Sequence, residues 1–123
     1  MKEVTSHHDG YGLNELIKVR AGEIGPGGAP HLYVFIYETD STGQEVGRIQ
    51  FQCGPRGAED STPGVTAQAV LAAVIDHLDA FQKGQYPSRE TALAITKLQE
   101  AMSWLRTRAD DRARRGVLGT LQR

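Results

Sequence analysis

The chain has 123 residues, 39% of them hydrophobic and 24% charged, which is the size and make-up of one domain (1–123) with a modest core. A lone cysteine excludes an intrachain disulfide framework and a multi-thiolate zinc site, and no apolar run approaches the ~18 residues of a membrane span. The formal charge of -1 hides an asymmetry: residues 1–88 carry six Lys/Arg against eleven Asp/Glu (-5), and residues 89–123 carry eight against four (+4).

Residues 1–10 are polar, lack the hydrophobic region of a signal peptide, and read as a mobile tail carrying His7 and His8, with the chain in the cytoplasm. Leu13 to Val19 reads as a strand. Gly25–Pro30 is a breaker, since glycine and proline fit neither a helix nor a central strand. It lacks the Lys and Ser/Thr of a phosphate-cradling P-loop, so it reads as a flexible turn. His31–Tyr37 is a β-branched and aromatic run, the strongest strand pattern in the chain. Thr39–Gln44 supplies a hairpin connection. Ile49, Phe51 and Cys53 then alternate with Arg48, Gln50 and Gln52, as in a strand with one buried and one wet face.

An irregular segment, Gly54–Gly64, separates these strands from two helices. Thr66 caps the first, whose apolar stripe is Val70, Leu71, Val74, Ile75, Leu78 and Phe81, and Gly84 ends it. Pro87 blocks continuation and Ser88 caps the second, Arg89–Arg115, with Ile95, Leu98, Met102 and Leu105 on one face. No coiled-coil register of several heptads is visible. The short connection predicts an antiparallel hairpin. The expected fold is α+β and oligomeric: a small N-terminal antiparallel sheet (about 11–53) followed by a C-terminal helical hairpin (about 65–116). A helix of about 40 Å at 1.5 Å per residue outruns a compact domain this small, so part of it should lie against another subunit.

No cluster assembles a nucleophile, a base and an oxyanion site, so the chain does not read as an enzyme, and no cofactor or metal is implied. His31 and His77 lack ligand partners at metal-binding spacing and read as structural. Cys53 falls within the core alternation, with no base near it in sequence. The second helix ends differently. Arg106, Arg108, Arg112, Arg114 and Arg115 crowd its last turns, more than opposing the helix dipole requires, and their planar forks suit phosphate. Asp110 and Asp111 should pair with some of them. Trp104 is the only aromatic in this basic stretch, which argues against long nucleic acid. Arg56 in the glycine–proline segment, Phe81 at an open helix end and Thr91 in a helix's first turn add a cation, a stacking surface and a hydroxyl. Core packing is the competing reading for Phe81. These are the parts of a nucleotide pocket.

The segments Ile49–Pro55, Gly64–Thr66, Val74–Leu78, Phe81–Gly84, Arg89–Thr91, Ala94–Ala101, Trp104-Leu105 and Arg115–Thr120 resemble a family of phage anti-Thoeris signal sponges. The resemblance covers residues 47–120, and its Ala-Ile-Thr-Lys-Leu helix is also similar to the hairpin of anti-CBASS sponges. It implies a non-enzymatic protein that traps a glycocyclic ADP-ribose at a dimer interface, between sheet loops and helix ends. Under it Phe81 stacks on adenine, Arg108 and Arg112 hold the diphosphate, and Arg56 contributes from the linker. Thr91 stands where the family more often has asparagine, and a hydroxyl does not offer the same donor and acceptor pair. The resemblance also allows a trimer of dimers with separate pockets for cyclic di- or trinucleotides.

Overall fold

A computed structural model describes residues 2–55, 59–120, 122 and 123. The chain divides into two compact units, residues 1–65 and 66–123. The first is a four-stranded antiparallel sheet in the order β1 (Lys2–Val4), β2 (Ile17–Ala21), β3 (Leu32–Glu38), β4 (Gly43–Gln50).

Residues 1–10, expected as a mobile tail, instead supply β1 and a pinned connection. The His7 ring meets the Ile17 carbonyl through Nε2 at 2.6 Å. Glu15 accepts from the Asp9 and Gly10 amides, both at 2.9 Å. Asp9 in turn accepts from the Tyr11 amide at 3.0 Å and from Asn14 at 2.8 Å. These local bonds divide the single strand expected over Leu13–Val19 into a one-turn helix, α1 (Gly12–Glu15), and β2. The Gly25–Pro30 breaker is a 3-10 turn over Pro26–Gly28, closed by Gly25 N–H to Ala29 C=O at 2.9 Å. His31 fastens it through Nε2 to the Pro26 carbonyl at 2.8 Å.

β3 is the centre of this unit because both neighbours pair along it. Val34 faces Arg20, and Tyr33 faces Ala21, so the two buried apolar residues, Val34 and Ala21, lie on opposite faces. At the edge, Phe35 faces Gly47 and Ile36 faces Glu45, leaving Val46 as an extra residue in β4. That bulge, and the 2.7 Å ion pair of Arg48 with Glu45 along the strand, protect an exposed edge from unwanted strand addition. The alternation after Gln50 continues as two isolated bridges, Phe51 with Val65 and Cys53 with Thr62. Gly64 is required there: a Cβ would overlap the Gln50 carbonyl oxygen and the Phe51 carbonyl carbon.

The second unit is the expected hairpin of α2 (Ala67–Lys83) and α3 (Arg89–Arg114). Thr66 Oγ1 accepts from Ala69 N–H at 3.1 Å, and Ser88 Oγ from Thr91 N–H at 3.0 Å, so both expected caps are in place. The end of α3 is a Schellman closure, with Val117 N–H on Arg112 C=O at 2.9 Å and Gly116 N–H on Ala113 C=O at 3.1 Å. The less exposed residues of α3 are Thr91, Ile95, Leu98, Met102, Leu105, Ala109 and Arg112, together with Ala101. The first seven have strict four–three spacing, and α2 answers with Gln68, Leu71, Ile75, Leu78 and Gln82. This is the seam of two packed helices. The heptad register was hidden in the sequence because polar or small residues fill its ends. Val74 and Phe81 fall off this seam and stay exposed, contrary to the stripe expected for α2.

Candidate functional site

The expected site residues of the hairpin fall into two groups, one at each end. At the turn end, α2 stops at Gly84 because Pro87 prevents a continuous helix, and Gln82 braces the connection. Its amide accepts from Ser88 N–H at 2.8 Å and donates to Ser88 C=O at 3.0 Å. Ser88 then donates through its hydroxyl to Thr91 Oγ1 at 2.8 Å. Gln82, Ser88 and Thr91 therefore form one chain of hydrogen bonds that sets the geometry where α3 begins. Thr91 is half-buried in it, with remaining acceptor capacity on its hydroxyl oxygen.

Beside this network lies a cavity of about 390 Å³ lined by His77, Ala80, Phe81, Gly84, Gln85 and Tyr86. Phe81 is 47% exposed, and Tyr86 on the turn is 72% exposed. The His77 ring stands edge-on to Phe81, with centroids 5.1 Å apart at 87°. That contact fixes the Phe81 ring while leaving it accessible, which suits a flat aromatic ligand. Sequence reasoning took His77 for a structural histidine and passed over Tyr86. The signal for His77 was its four-residue spacing before Phe81 on one helix face. For Tyr86 it was an aromatic placed immediately before a turn proline.

At the other end of α3 the arginines have separate tasks. Arg106 approaches Asp110 at 4.0 Å, while Asp111 holds Arg115 at 3.0 Å and Arg114 at 3.7 Å, so both aspartates pair as expected. Arg112 is the buried one, 8% exposed, and donates through Nη2 to the carbonyls of Val117, Thr120 and Gln122. Arg108 is exposed and has no hydrogen bond or ion pair among the described residues. Among the five arginines in the last turns of α3 it is the one without a partner, and so open to an anion. Arg108 and Arg112 are four residues apart, so both lie along one side of the helix. Arg56, expected as a further contact, lies outside the described residues.

Thr91 and Arg108 are seventeen positions apart on one helix, about 26 Å at 1.5 Å per residue. Phe81 shares the Thr91 end. One hairpin therefore carries an aromatic, hydroxyl-bearing end and a cationic end, and does not bring them together. A groove of about 510 Å³ lies elsewhere, along the flank with Ala72, Ile75, Asp76, Asp79, Ile95, Gln99 and Met102. Its acidic rim is poorly suited to phosphate. Among the described residues no group of three or more His, Cys, Asp or Glu could hold a metal, and no helix is long and apolar enough to cross a membrane.

Residues 43–109 match the family model described as Acb2/Tad1, hairpin domain, a span running from β4 through most of α3. The chain is also 44% identical over 72 residues to a protein named Thoeris anti-defense 1 from Bacillus phage SBSphiJ7. The aligned region is 58% of this chain and 50% of that protein, so the chain spans about half the length of the relative it matches.

Proposed function

The chain belongs to the Acb2/Tad1 hairpin-domain family, and from that premise we propose that it captures a cyclic ADP-ribose-type messenger uncleaved, in a pocket completed by a second copy of itself. Capture withholds the signal from Thoeris immunity in the cytoplasm of an infected host. The observation that carries this reading is the division of the hairpin into two half-sites about 26 Å apart. Two hairpins related by a two-fold axis and laid antiparallel bring the Phe81–Thr91 end of one beside the Arg108–Arg112 end of the other, twice. The purine then stacks on Phe81, which His77 holds from the side, and the diphosphate meets the partner's arginine end.

The energetics favour such a division of labour. Nanomolar capture needs about 12 kcal/mol of net binding free energy. Base stacking contributes about 1–3 kcal/mol and each hydrogen bond to a charged group about 1.5–3 kcal/mol. An open surface on one chain leaves most of those groups hydrated, whereas a second chain encloses them. Association also answers a deficit within the hairpin, whose apolar seam residues are only half-buried and whose Trp104 is 69% exposed. The half-sites contain positioned acceptors, rings and cations, the groups that hold an anionic aromatic ligand.

The test is an equilibrium titration with cyclic ADP-ribose isomers and, as comparison, linear ADP-ribose, followed by heat release of the bound compound. Tight binding of a cyclic isomer and its recovery intact supports the reading. Recovery as fragments would make the chain an enzyme. A second reading, capture of cyclic di- or trinucleotides at a separate site, draws on the groove of about 470 Å³ lined by Gln68, Met102, Ser103, Arg106 and Ala109. Binding of those ligands that survives Phe81→Ala would support the separate site.

A further inference from the structure

Tyr86 is 72% exposed and has no hydrogen bond or ring contact among the described residues. Its ring is not needed for the turn that carries it. Pro87 already confines the residue before it to extended backbone. Gln82 ties both polar backbone groups of Ser88, at 2.8 and 3.0 Å, and Gly84 N–H closes on Phe81 C=O at 3.2 Å. The backbone is thus fastened on both sides of Tyr86, while its ring stays in water and forgoes the free energy of burial.

That ring lines the same cavity of about 390 Å³ as Phe81, a volume within the roughly 300–1,000 Å³ of small-molecule sites. The sequence clears room between the two aromatics. His77, Ala80, Phe81 and Gly84 follow at intervals of three, one and three on one helix face, so two small residues lie among the ring-bearing ones. Gly84 has φ -99°, which any residue adopts, but a Cβ there would meet the Ala80 carbonyl oxygen at 3.3 Å. Among the described residues no Asp, Glu, Lys or Arg lines the cavity, which suits an uncharged flat ring and not a phosphate.

We infer that Tyr86 is the second wall of the base site: an adenine entering this cavity stacks between the Phe81 and Tyr86 rings. This rests on the reading of Phe81 as the stacking surface for the captured messenger. Phe81 alone covers one face of the base, whereas two walls take both faces out of water. The walls are held in advance. His77 stands edge-on to Phe81 with centroids 5.1 Å apart, and the Gln82–Ser88 bonds hold the turn under Tyr86, so little further order has to be imposed on binding.

The test takes the full chain with two probes, a cyclic ADP-ribose isomer read by calorimetry and adenosine monophosphate read by nuclear magnetic resonance titration. Tyr86→Leu keeps an apolar side chain, removes the ring, and should weaken binding of both probes roughly fivefold to a hundredfold. Tyr86→Phe should recover that loss. In the unmodified complex, nuclear Overhauser contacts should join the Tyr86 ring protons to the adenine protons, a readout that needs no variant. Unchanged affinity in Tyr86→Leu, or adenine contacts to Phe81 alone, overturns the second wall and leaves stacking on Phe81 standing. Adenosine monophosphate weakened alike by Phe81→Ala and Tyr86→Leu, with no cyclic ADP-ribose isomer bound, keeps the two walls and removes the messenger reading alone. A cyclic isomer bound with no adenine contact to either ring, or neither probe bound, overturns both.

Discussion

If each pocket takes its ring from one chain and its arginine from another, two differently damaged chains should repair each other. Phe81→Ala removes the stacking surface at one end of the hairpin, and Arg108→Ala removes the free cation at the other. The distance makes the experiment decisive. About 26 Å along α3 approaches the 30 Å diameter of a small domain, beyond the reach of a ligand the size of one cyclised dinucleotide. In a two-fold dimer of one Phe81→Ala chain and one Arg108→Ala chain, both lesions fall in the same pocket and the other pocket is intact. Random exchange of equal amounts gives about half mixed dimers, so about a quarter of all pockets should regain full affinity. Each variant alone should lose affinity throughout, by about 1–3 kcal/mol for the ring and about 2–5 kcal/mol for the arginine. Calorimetry after unfolding and refolding the mixture separates this tight fraction by stoichiometry. A mixture showing only the two weak affinities would refute the shared pocket and place all ligand contacts on one chain.

Other consequences follow from single features. Phe81→Ala should weaken capture roughly fivefold to a hundredfold, mainly through faster dissociation, and Phe81→Trp should retain it, as read by surface-immobilised binding kinetics. Gln82→Ala leaves the half-buried Ser88 N–H without its partner, while Ser88 C=O keeps Ala92 N–H at 3.1 Å, and should destabilise the hairpin by about 1–3 kcal/mol in urea denaturation. Gly64→Ala should disrupt the bridge of Phe51 with Val65, since the Cβ collides with backbone; loss of amide protection at Val65, bonded to Gln50 C=O at 2.9 Å, would report it. Hydrogen bonds from the Tyr11 amide and Asn14 hold the Asp9 carboxyl below its ordinary value. The ionised form is thus favoured in the folded state, and its stabilisation is present at neutral pH and lost as pH falls through the lowered value. Asp9→Asn should flatten the acid side of the stability profile; an unchanged profile would deny Asp9 that role.

The hairpin was legible because its signals are local. Thr66, Pro87 and Ser88 act on their immediate neighbours, and each performs in the structure the task its side chain suggests, while Gly84 ends α2 without the left-handed conformation usual for a terminal glycine. The β3–β4 pair was legible for a similar reason, a strong apolar run followed by turn residues. What escaped was set by contacts between distant or polar residues. β1 depends on pairing with β2, and the connection between them on Glu15 reaching back to Asp9 and Gly10, none of which hydrophobic periodicity detects. The heptad seam of α3 was masked by the polar Thr91 and Arg112 and the small Ala109 at positions where large apolar residues are expected. Five arginines close in sequence looked alike, yet the structure gives three to aspartates, one to the tail carbonyls and leaves Arg108 open. Composition could identify the basic end, but only geometry could assign its members.

Native mass spectrometry of the protein mixed with cyclic ADP-ribose isomers tests the central claim most directly. The account predicts an even-numbered assembly carrying one ligand per chain, and dissociation should release that ligand at its original mass. A monomer saturating with ligand, or release of a hydrolysed product, would contradict it.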